Sequence, residues 1–286
     1  MNAWERSWSI TRTTFGIIRE DKEMLAFPIL AGVFSILYSV ALIVPSFVLH
    51  AAGHVAGASR SEIEPFQVAI LFATYFGLSF IATFFNVCVV YTTRTRLLGG
   101  DATFRESLSF AASKFHLIFA WSLVAAAVGL LLRALDKVAE GKSAVAQFLW
   151  SILRSLLATA WSIMTLFVVP AMVYRDLGPI DAIGESLSVL NKTWGESLVR
   201  HYGMGFAMGV CLVPAVALIF AGVVAMQAPV IGIPLLAIGI LATFGVILVF
   251  GVANTVFNTV LYHYSTEGSA PGFDNEVLAG MFSPKE

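Results

Sequence analysis

The sequence predicts an all-α polytopic membrane protein, a bundle of six transmembrane helices with three amphipathic helices at one membrane surface. Two observations on composition point to a bilayer as its solvent. Of the 286 residues, 58% are hydrophobic and only 12% are charged, whereas a soluble globular protein carries about 25% charged residues. The third observation is that six apolar runs each reach the roughly 20 residues that a helix needs to cross the hydrocarbon core.

The predicted spans lie near Leu25–Leu49, Phe66–Tyr91, Phe115–Leu135, Val145–Tyr174, Gly203–Met226 and Val230–Tyr264. Helices are predicted because a helix satisfies its own backbone groups in lipid. At about 1.5 Å per residue, span six exceeds the roughly 30 Å core, so we expect it to protrude or to bend near Gly245 and Gly251. Pro170 and Pro214 predict mild kinks in spans four and five, because proline removes a backbone donor.

Lysine and arginine residues near the spans predict the orientation, because cytoplasmic flanks carry the excess of positive charge. Twelve lie on one side: Arg6, Arg12, Arg19, Lys22, Arg94, Arg96, Arg105, Lys114, Arg175, Lys192, Arg200 and Lys285. Four lie on the other: Arg60, Arg133, Lys137 and Lys142. Both termini are therefore predicted to be cytoplasmic, in a multi-pass protein of the inner or plasma membrane whose first apolar run is an uncleaved insertion signal.

A six-residue motif recurs along the chain. RESLSF at 105–110 returns as GESLSV at 184–189, and the segment from Glu5, ERSWSI, aligns with both. Three serines coincide without gaps: Ser7, Ser107 and Ser186. Each copy precedes a pair of spans, which predicts parallel repeats about a pseudo-threefold axis along the membrane normal. The predicted units are 1–98, 99–178 and 179–268, followed by an amphipathic tail at 269–286.

Each copy of the motif also has helical periodicity. Bulky apolar residues fall on one face and basic or polar residues on the other, as in helices that lie in the membrane interface. The predicted interfacial anchors are Trp4, Trp8, Phe15, Leu108, Phe115, Leu187 and Trp194. Pro179, just before the third copy, favours a helix start.

Polar side chains mark the even-numbered spans. The candidates for a polar pocket are Thr83, Asn86, Arg154, Asn254 and Asn258. They are expected either to converge on a path that opens toward the cytoplasm, or to hold helices together by hydrogen bonds. Arg154 also has a functional and a structural interpretation. A charge inside a span is costly and is therefore often functional. Its structural alternative is to reach outward toward one of four carboxylates, on Asp136, Glu140, Glu62 or Glu64.

A GxxxG pair, Gly205 and Gly209, opens span five and predicts close backbone approach, either inside the bundle or between subunits. We expect the internal contact.

Recognisable chemistry is sparse. Cys88 and Cys211 have no CxxC spacing, and His50 with His54 match no metalloenzyme motif, so neither disulfide nor metal site is predicted. No catalytic motif is readable, and no cofactor is implied. The formal net charge of −1 argues against a nucleic-acid partner.

Four stretches carry a family resemblance: RSWSITRTTFGIIREDKEMLAFPIL, FFNVCVVYTTRTRLLGGDATF, FVVPAMVYRDLGPIDAIGESLSVLNKTWGE and LYHYSTEGSAPGFDNEVL. In these the chain resembles an uncharacterised family of prokaryotic six-span membrane proteins that is known as a domain of unknown function. More loosely, it is similar to the membrane domain attached to some glycerophosphodiester phosphodiesterases. The chain has no hydrolase domain, so the resemblance implies no catalytic residues.

Three functions follow as expectations. The first is a non-enzymatic protein of the cell envelope that acts through membrane lipids, an unidentified membrane protein partner or a homo-oligomer. The second is a transporter or channel for small molecules or lipids that uses a polar path between spans two, four and six. The third is an intramembrane enzyme acting on lipid, which would need a reactive pair such as His116 and a carboxylate to meet on folding.

Overall fold

The computed structural model describes residues 3–55, 60–139, 143–193 and 202–271, and these ranges are helical almost throughout. They contain ten α-helices, whose bounds are α1 Ala3–Glu20, α2 Ala26–Val55, α3 Arg60–Leu97, α4 Phe104–Ser113, α5 Phe115–Ala139, α6 Ala144–Met164, α7 Val168–Arg175, α8 Pro179–Thr193, α9 Tyr202–Val224 and α10 Pro229–Glu267. Two 3-10 turns, Lys22–Leu25 and Ala225–Gln227, precede α2 and α10. Three of the helices, α1, α4 and α8, each precede two long apolar segments, and we call them the short helices.

Within the described residues, six helices are long and apolar enough to cross a membrane, as predicted. The six stretches are Lys22–Val44, Gln67–Leu97, Phe115–Val138, Ala144–Arg175, Ala207–Gln227 and Pro229–Glu267. Helix α9 continues through Pro214, and the 39 residues of α10 run without interruption through Gly245 and Gly251. At about 1.5 Å per residue α10 is longer than a bilayer core is thick, so it exceeds what one straight crossing needs.

Span four departs most from a simple helix, because it is divided at Thr165–Phe167 into α6 and α7. Pro170 is the physical cause. Its ring has no N–H and clashes with the carbonyl four residues earlier, which belongs to Leu166. Where a kink was predicted from Pro170, the α-helix is therefore interrupted over Thr165–Phe167, and we call this interruption the break.

Contacts divide the chain into two compact units. Unit 1 comprises Met1–Pro28, Thr92–Phe104 and Val189–Glu286, and unit 2 comprises Ile29–Tyr91 and Arg105–Ser188. In unit 2 the largest buried side chains belong to α3, α5, the Thr165–Phe167 segment and α7, and they include Val87, Val90, Ile118, Phe167, Val168 and Met172. Phenylalanine rings extend this packing along α3: Phe76 meets Phe119 of α5 at 5.1 Å between centroids, and Phe80 meets Phe115 at 5.3 Å.

Unit 1 has its own core, in which the C-terminal half of α10 is buried together with Met24 and Phe27. Its principal packing pair is the hairpin of α9 and α10, which depends on glycine. A Cβ atom added at Gly222 would lie 2.5 Å from the backbone nitrogen of Leu236, and one added at Gly239 would lie 2.6 Å from that of Ile219. The absence of a side chain at these glycines lets the two backbones approach closely.

The GxxxG pair does not make this contact. A Cβ atom added at Gly205 or Gly209 would meet no atom of the described structure within 4 Å. Among the described residues, the internal packing expected of these two glycines is therefore not observed. The close approach occurs further along α9, at Gly222, because that part of the helix is the one that faces α10.

Large apolar side chains remain exposed on α2, α6, α9 and the first half of α10, including Ile36, Val145, Phe220 and Val230. Such a surface would drive aggregation in water. In a bilayer it is the ordinary lipid-contacting face, since acyl chains are as apolar as these side chains.

Spans two, four and six end alike, with a residue in the left-handed conformation. Gly99 follows α3 with φ +79°, Asp176 follows α7 with φ +55°, and Gly268 follows α10 with φ +75°. Among the described residues these are the positions with positive φ. Such a residue lets the chain turn while the last helical carbonyls keep donors; the Gly268 N–H, for example, donates to the Tyr264 carbonyl at 2.9 Å.

Candidate functional site

Two of the predicted polar residues lie on α3 within unit 2. Thr83 is buried, and Asn86 follows it by nearly one helical turn. The Oδ1 atom of Asn86 is buried, and no donor among the described residues reaches it. A carbonyl oxygen enclosed in this way is costly unless some group donates to it.

Span six carries the other pair, in unit 1. Asn254 is exposed, whereas Asn258 is only 7% exposed, and within the described part of the chain its Oδ1 atom also accepts no hydrogen bond. The neighbouring Thr259 hydroxyl donates to the carbonyl of Thr255 at 2.7 Å and is thus satisfied inside its own helix. The two asparagines of α10 therefore differ in burial, since Asn254 is exposed and Asn258 is buried.

Arg154 lies on α6, half exposed, and its Nε donates to Oδ1 of Asp136 on α5 at 2.9 Å. Of the four carboxylates proposed from the sequence, Asp136 is thus its partner. The serines of span four do not build a buried face beside it, since Ser151, Ser155 and Ser162 are all exposed on α6. Arg154 and Asp136 hold α5 against α6, which is what the structural alternative expects.

This ion pair gives a first prediction. Replacing Arg154 with leucine should lower the free energy of unfolding by up to about 1 kcal/mol, because the pair is partly exposed and Asp136 keeps Arg133 at 3.8 Å as a second partner. Adding Asp136→Asn to Arg154→Leu should recover part of this loss. Unfolding by SDS titration in mixed micelles measures both effects. Lys137→Leu, an exposed neighbour, is the matched control and should change little. Equal losses in Arg154→Leu and Lys137→Leu would contradict the assignment.

The predicted interfacial anchors occupy different environments. Phe15 of α1 is half-buried and meets Phe250 of α10 edge-on, at 5.5 Å between ring centroids. Leu108 is half-buried on α4, Phe115 opens α5 and is 54% exposed, and Leu187 on α8 is 38% exposed.

Three tryptophan anchors remain untested. Trp4 and Trp8 belong to α1 through their backbone, but their side chains lie outside the described part of the structure, as does the whole of Trp194. His50 and His54, for which no metal site was predicted, are helical residues of α2 whose side chains are likewise not described.

Two of the three repeated serines are buried, and the side chain of the third, Ser7, lies outside the described part of the structure. Ser107 on α4 and Ser186 on α8 are both 0% exposed, although each stands beside the leucine that the periodicity marks as an anchor. Ser186 Oγ accepts a hydrogen bond from the backbone N–H of Phe167 at 3.1 Å. Phe167 is the last residue of the break in span four, so a side chain of the motif satisfies a backbone donor that the broken helix exposes.

Charged side chains connect the short helices to the spans. In unit 1, Asp21 follows α1 and receives two hydrogen bonds from Arg96 at the end of α3, at 2.7 and 2.5 Å. Arg96 also contacts Asp101 at 3.0 Å. Glu23 accepts the backbone N–H of Phe104, the first residue of α4, at 2.8 Å.

Unit 2 has two comparable links. Lys114, between α4 and α5, pairs with Asp176, which follows α7. Arg175, the last residue of α7, pairs with Glu185 on α8 at 2.9 Å between Nη1 and Oε1. The ammonium of Lys114 also lies 5.3 Å from the ring centroid of Phe110, within the range of a cation–π contact.

Sequence reasoning missed these connecting residues. It read Arg96, Lys114 and Arg175 only as charges that set the orientation, because their ion-pair partners are 75, 62 and 10 residues away and leave no local pattern. For Ser186 a signal was present, since the same serine recurs in each copy of the motif. If the polar face of these helices were exposed to water, any polar residue could occupy this position, and serine would not have to recur.

Comparison with known proteins gives one positive finding. No curated protein matches the chain, and nothing links it to glycerophosphodiester phosphodiesterases. A family model described as a family of unknown function (DUF6159) matches residues 66–273, well over half of the chain. The chain therefore belongs to this family of unknown function, DUF6159.

Proposed function

We propose that this protein is a non-enzymatic integral membrane protein of the cell envelope, with cytoplasmic termini, that acts through its short helices on membrane lipids or on a partner protein. The observation that carries the proposal is that each short helix is joined to an even-numbered span. Phe15 of α1 packs on Phe250 of α10. Phe110 of α4 stacks on Tyr91 of α3 at 4.3 Å. Ser186 of α8 accepts the Phe167 N–H.

The same three contacts support the parallel repeat with units near 1–98, 99–178 and 179–268. Helices α4 and α8 follow their spans directly along the chain, whereas α1 and α10 stand at opposite ends of the sequence. If three equivalent units are related by rotation, the contact between α1 and α10 is expected. In such a ring α1 occupies, next to α10, the position that α4 occupies next to α3 and α8 next to α7. The left-handed residues after α3, α7 and α10 add a second recurrence.

Topology mapping tests the orientation. In a background without Cys88 and Cys211, single cysteines at Arg105, Lys192 and Lys137 would be labelled with a membrane-impermeant thiol reagent. We expect cysteines at the first two positions to react from the cytoplasmic side and that at Lys137 from the outside. Labelling of positions 105 and 192 from opposite sides would overturn the repeat.

Comparison of a deletion strain with its parent tests the function. If the short helices act on lipids or on a lipid-handling partner, deletion should change the composition or the detergent sensitivity of the envelope, and the purified protein should retain bound lipid. Restoration by a plasmid copy is the control. Unchanged lipid profiles and unchanged envelope sensitivity would refute the proposal.

Transport is the second candidate, and the two enclosed asparagine oxygens favour it. Asn86 and Asn258 each present a buried carbonyl oxygen that no described donor reaches, as expected of groups that interact with a passing polar solute. Substitution of Asn86, Asn254 and Asn258 by leucine should then abolish flux in proteoliposomes, while Thr159→Leu on exposed α6 should not. Flux that persists in the triple variant would exclude a path lined by these residues.

A further inference from the structure

The two halves of span four have opposite environments within unit 2. Helix α6 has no buried residue over Ala144–Met164. In α7, every residue from Val168 to Val173 is buried. One half of the span is therefore held among protein neighbours, whereas the other half has a largely open surface.

The backbone between these halves is satisfied in an unusual way. The Leu166 N–H donates to Ile163 at 3.2 Å, and the Val168 N–H donates to Thr165 at 3.2 Å. Both bonds reach back three residues instead of four, so the helix tightens on each side of Phe167. The Phe167 N–H donates to Ser186 on α8 instead. Phe167 and Ser186 are both fully buried, so water does not compete for this bond.

Helix α8 is anchored to α7 independently of that hydrogen bond, through Arg175 and Glu185. Helix α6, in contrast, is held by α5. Trp161 stacks on Trp121 at 5.9 Å between centroids, and Arg154 pairs with Asp136. The break thus joins α7, which is bound to α8, to α6, which is bound to α5. Ser186 is the side chain that stabilises the break.

We propose that Ser186 is a latch that couples the short helix α8 to the angle of the break in span four. While its hydroxyl accepts the Phe167 N–H, the break is maintained. When α8 moves away from α7, this N–H must find another acceptor, because lipid offers none. The acceptor in helical register is the Ile163 carbonyl. Using it changes the angle between α6 and α7 and displaces α6, while Pro170 still prevents a regular helix at Leu166. A contact made on α8 is in this way transmitted to the exposed surface of α6.

The test measures a distance inside unit 2. Spin labels at Val145, on the exposed start of α6, and at Ile180, on the exposed start of α8, would be read by double electron–electron resonance in nanodiscs, with Cys88→Ala and Cys211→Ser. Over the 21 residues of α6, a helix of roughly 30 Å, a change of about 10° moves the label by about 5 Å. Ser186→Ala should shift the distance by this order. Ser188→Ala, two residues away on the same helix, is the matched control and should not.

Amide hydrogen exchange gives the second readout. In Ser186→Ala, exchange at Phe167 should change by about tenfold, the factor that corresponds to one buried hydrogen bond. An unchanged distance and unchanged exchange would overturn the latch, and so would equal shifts in Ser186→Ala and Ser188→Ala. If Ser186→Ala does not yield folded protein, Pro170→Ala replaces it: restoring the N–H at position 170 should let the helix continue through Thr165–Phe167 and change the same label-to-label distance. No movement in Pro170→Ala would refute the mechanism.

Discussion

Replacing Gly239 with alanine is expected to lower the free energy of unfolding by about 2–3 kcal/mol, a typical cost of overpacking. The added Cβ atom would lie 2.6 Å from the backbone nitrogen of Ile219 and 2.8 Å from its Cγ1. A backbone atom cannot rotate away, so α9 and α10 would have to separate along their shared face. Equilibrium unfolding by SDS in mixed micelles, followed by circular dichroism, measures the loss.

Helix α10 offers a matched control at Gly245, where a Cβ atom would meet nothing within 4 Å. Alanine there should leave stability unchanged or raise it by up to about 1 kcal/mol, because alanine loses less conformational entropy than glycine in a helix. Gly222→Ala should behave like Gly239→Ala, since its Cβ atom would lie 2.5 Å from the nitrogen of Leu236. Equal stability of the Gly239 and Gly245 variants would contradict the glycine-dependent contact.

Replacing Arg96 with alanine should produce the second large effect, a loss of about 2–3 kcal/mol. The guanidinium donates two hydrogen bonds to Asp21, whose side chain is only 11% exposed, and a third to Asp101. Without Arg96 the Asp21 carboxylate is largely buried and unpaired, which is the costly outcome when one member of an ion pair is removed. Thermal and SDS-induced unfolding in the same detergent would measure the loss.

A double-mutant cycle assigns the loss to the pair. Asp21→Ala should cost a similar amount, and the double variant should cost much less than the sum of the two, because both single changes remove the same interaction. Arg105→Ala is the control, since Arg105 is exposed and makes no ion pair with a described residue. Additive losses at Arg96 and Asp21 would show that the two side chains act independently.

Much of the helical framework could be predicted from the sequence. The six apolar runs correspond to six membrane-length helices within the described residues, and Pro179 does begin α8. These features could be predicted because the length of an apolar run and the geometry of proline depend only on residues that are neighbours in the sequence. The break at Thr165–Phe167 was only half predicted. Pro170 predicts a disturbed helix, but the extent of the disturbance depends on whether neighbouring groups satisfy the backbone groups left without helical partners, as Ser186 does for the Phe167 N–H.

The candidate site was less readable. Thr83, Asn86, Arg154, Asn254 and Asn258 were selected by residue type and spacing, yet Asn254 is exposed and Asn258 is buried on the same helix. Helical spacing places two side chains on one face and cannot tell which part of that face is covered. The GxxxG pair shows the same limit, because the motif predicts a close approach of two helices but does not identify the helix that makes it.

By itself, the sequence determined that the chain is helical, that it has six segments suited to a bilayer, and that one serine-containing motif recurs before pairs of those segments. These properties follow from apolar length, helical period and repetition, which are local quantities. Only the tertiary structure decided that Ser186 turns inward to the break in span four, that Arg96 binds Asp21, and that Gly222 and Gly239 carry the contact between α9 and α10. Each of these joins residues far apart in the chain, and its energy depends on distance and burial, which exist only once the helices have packed.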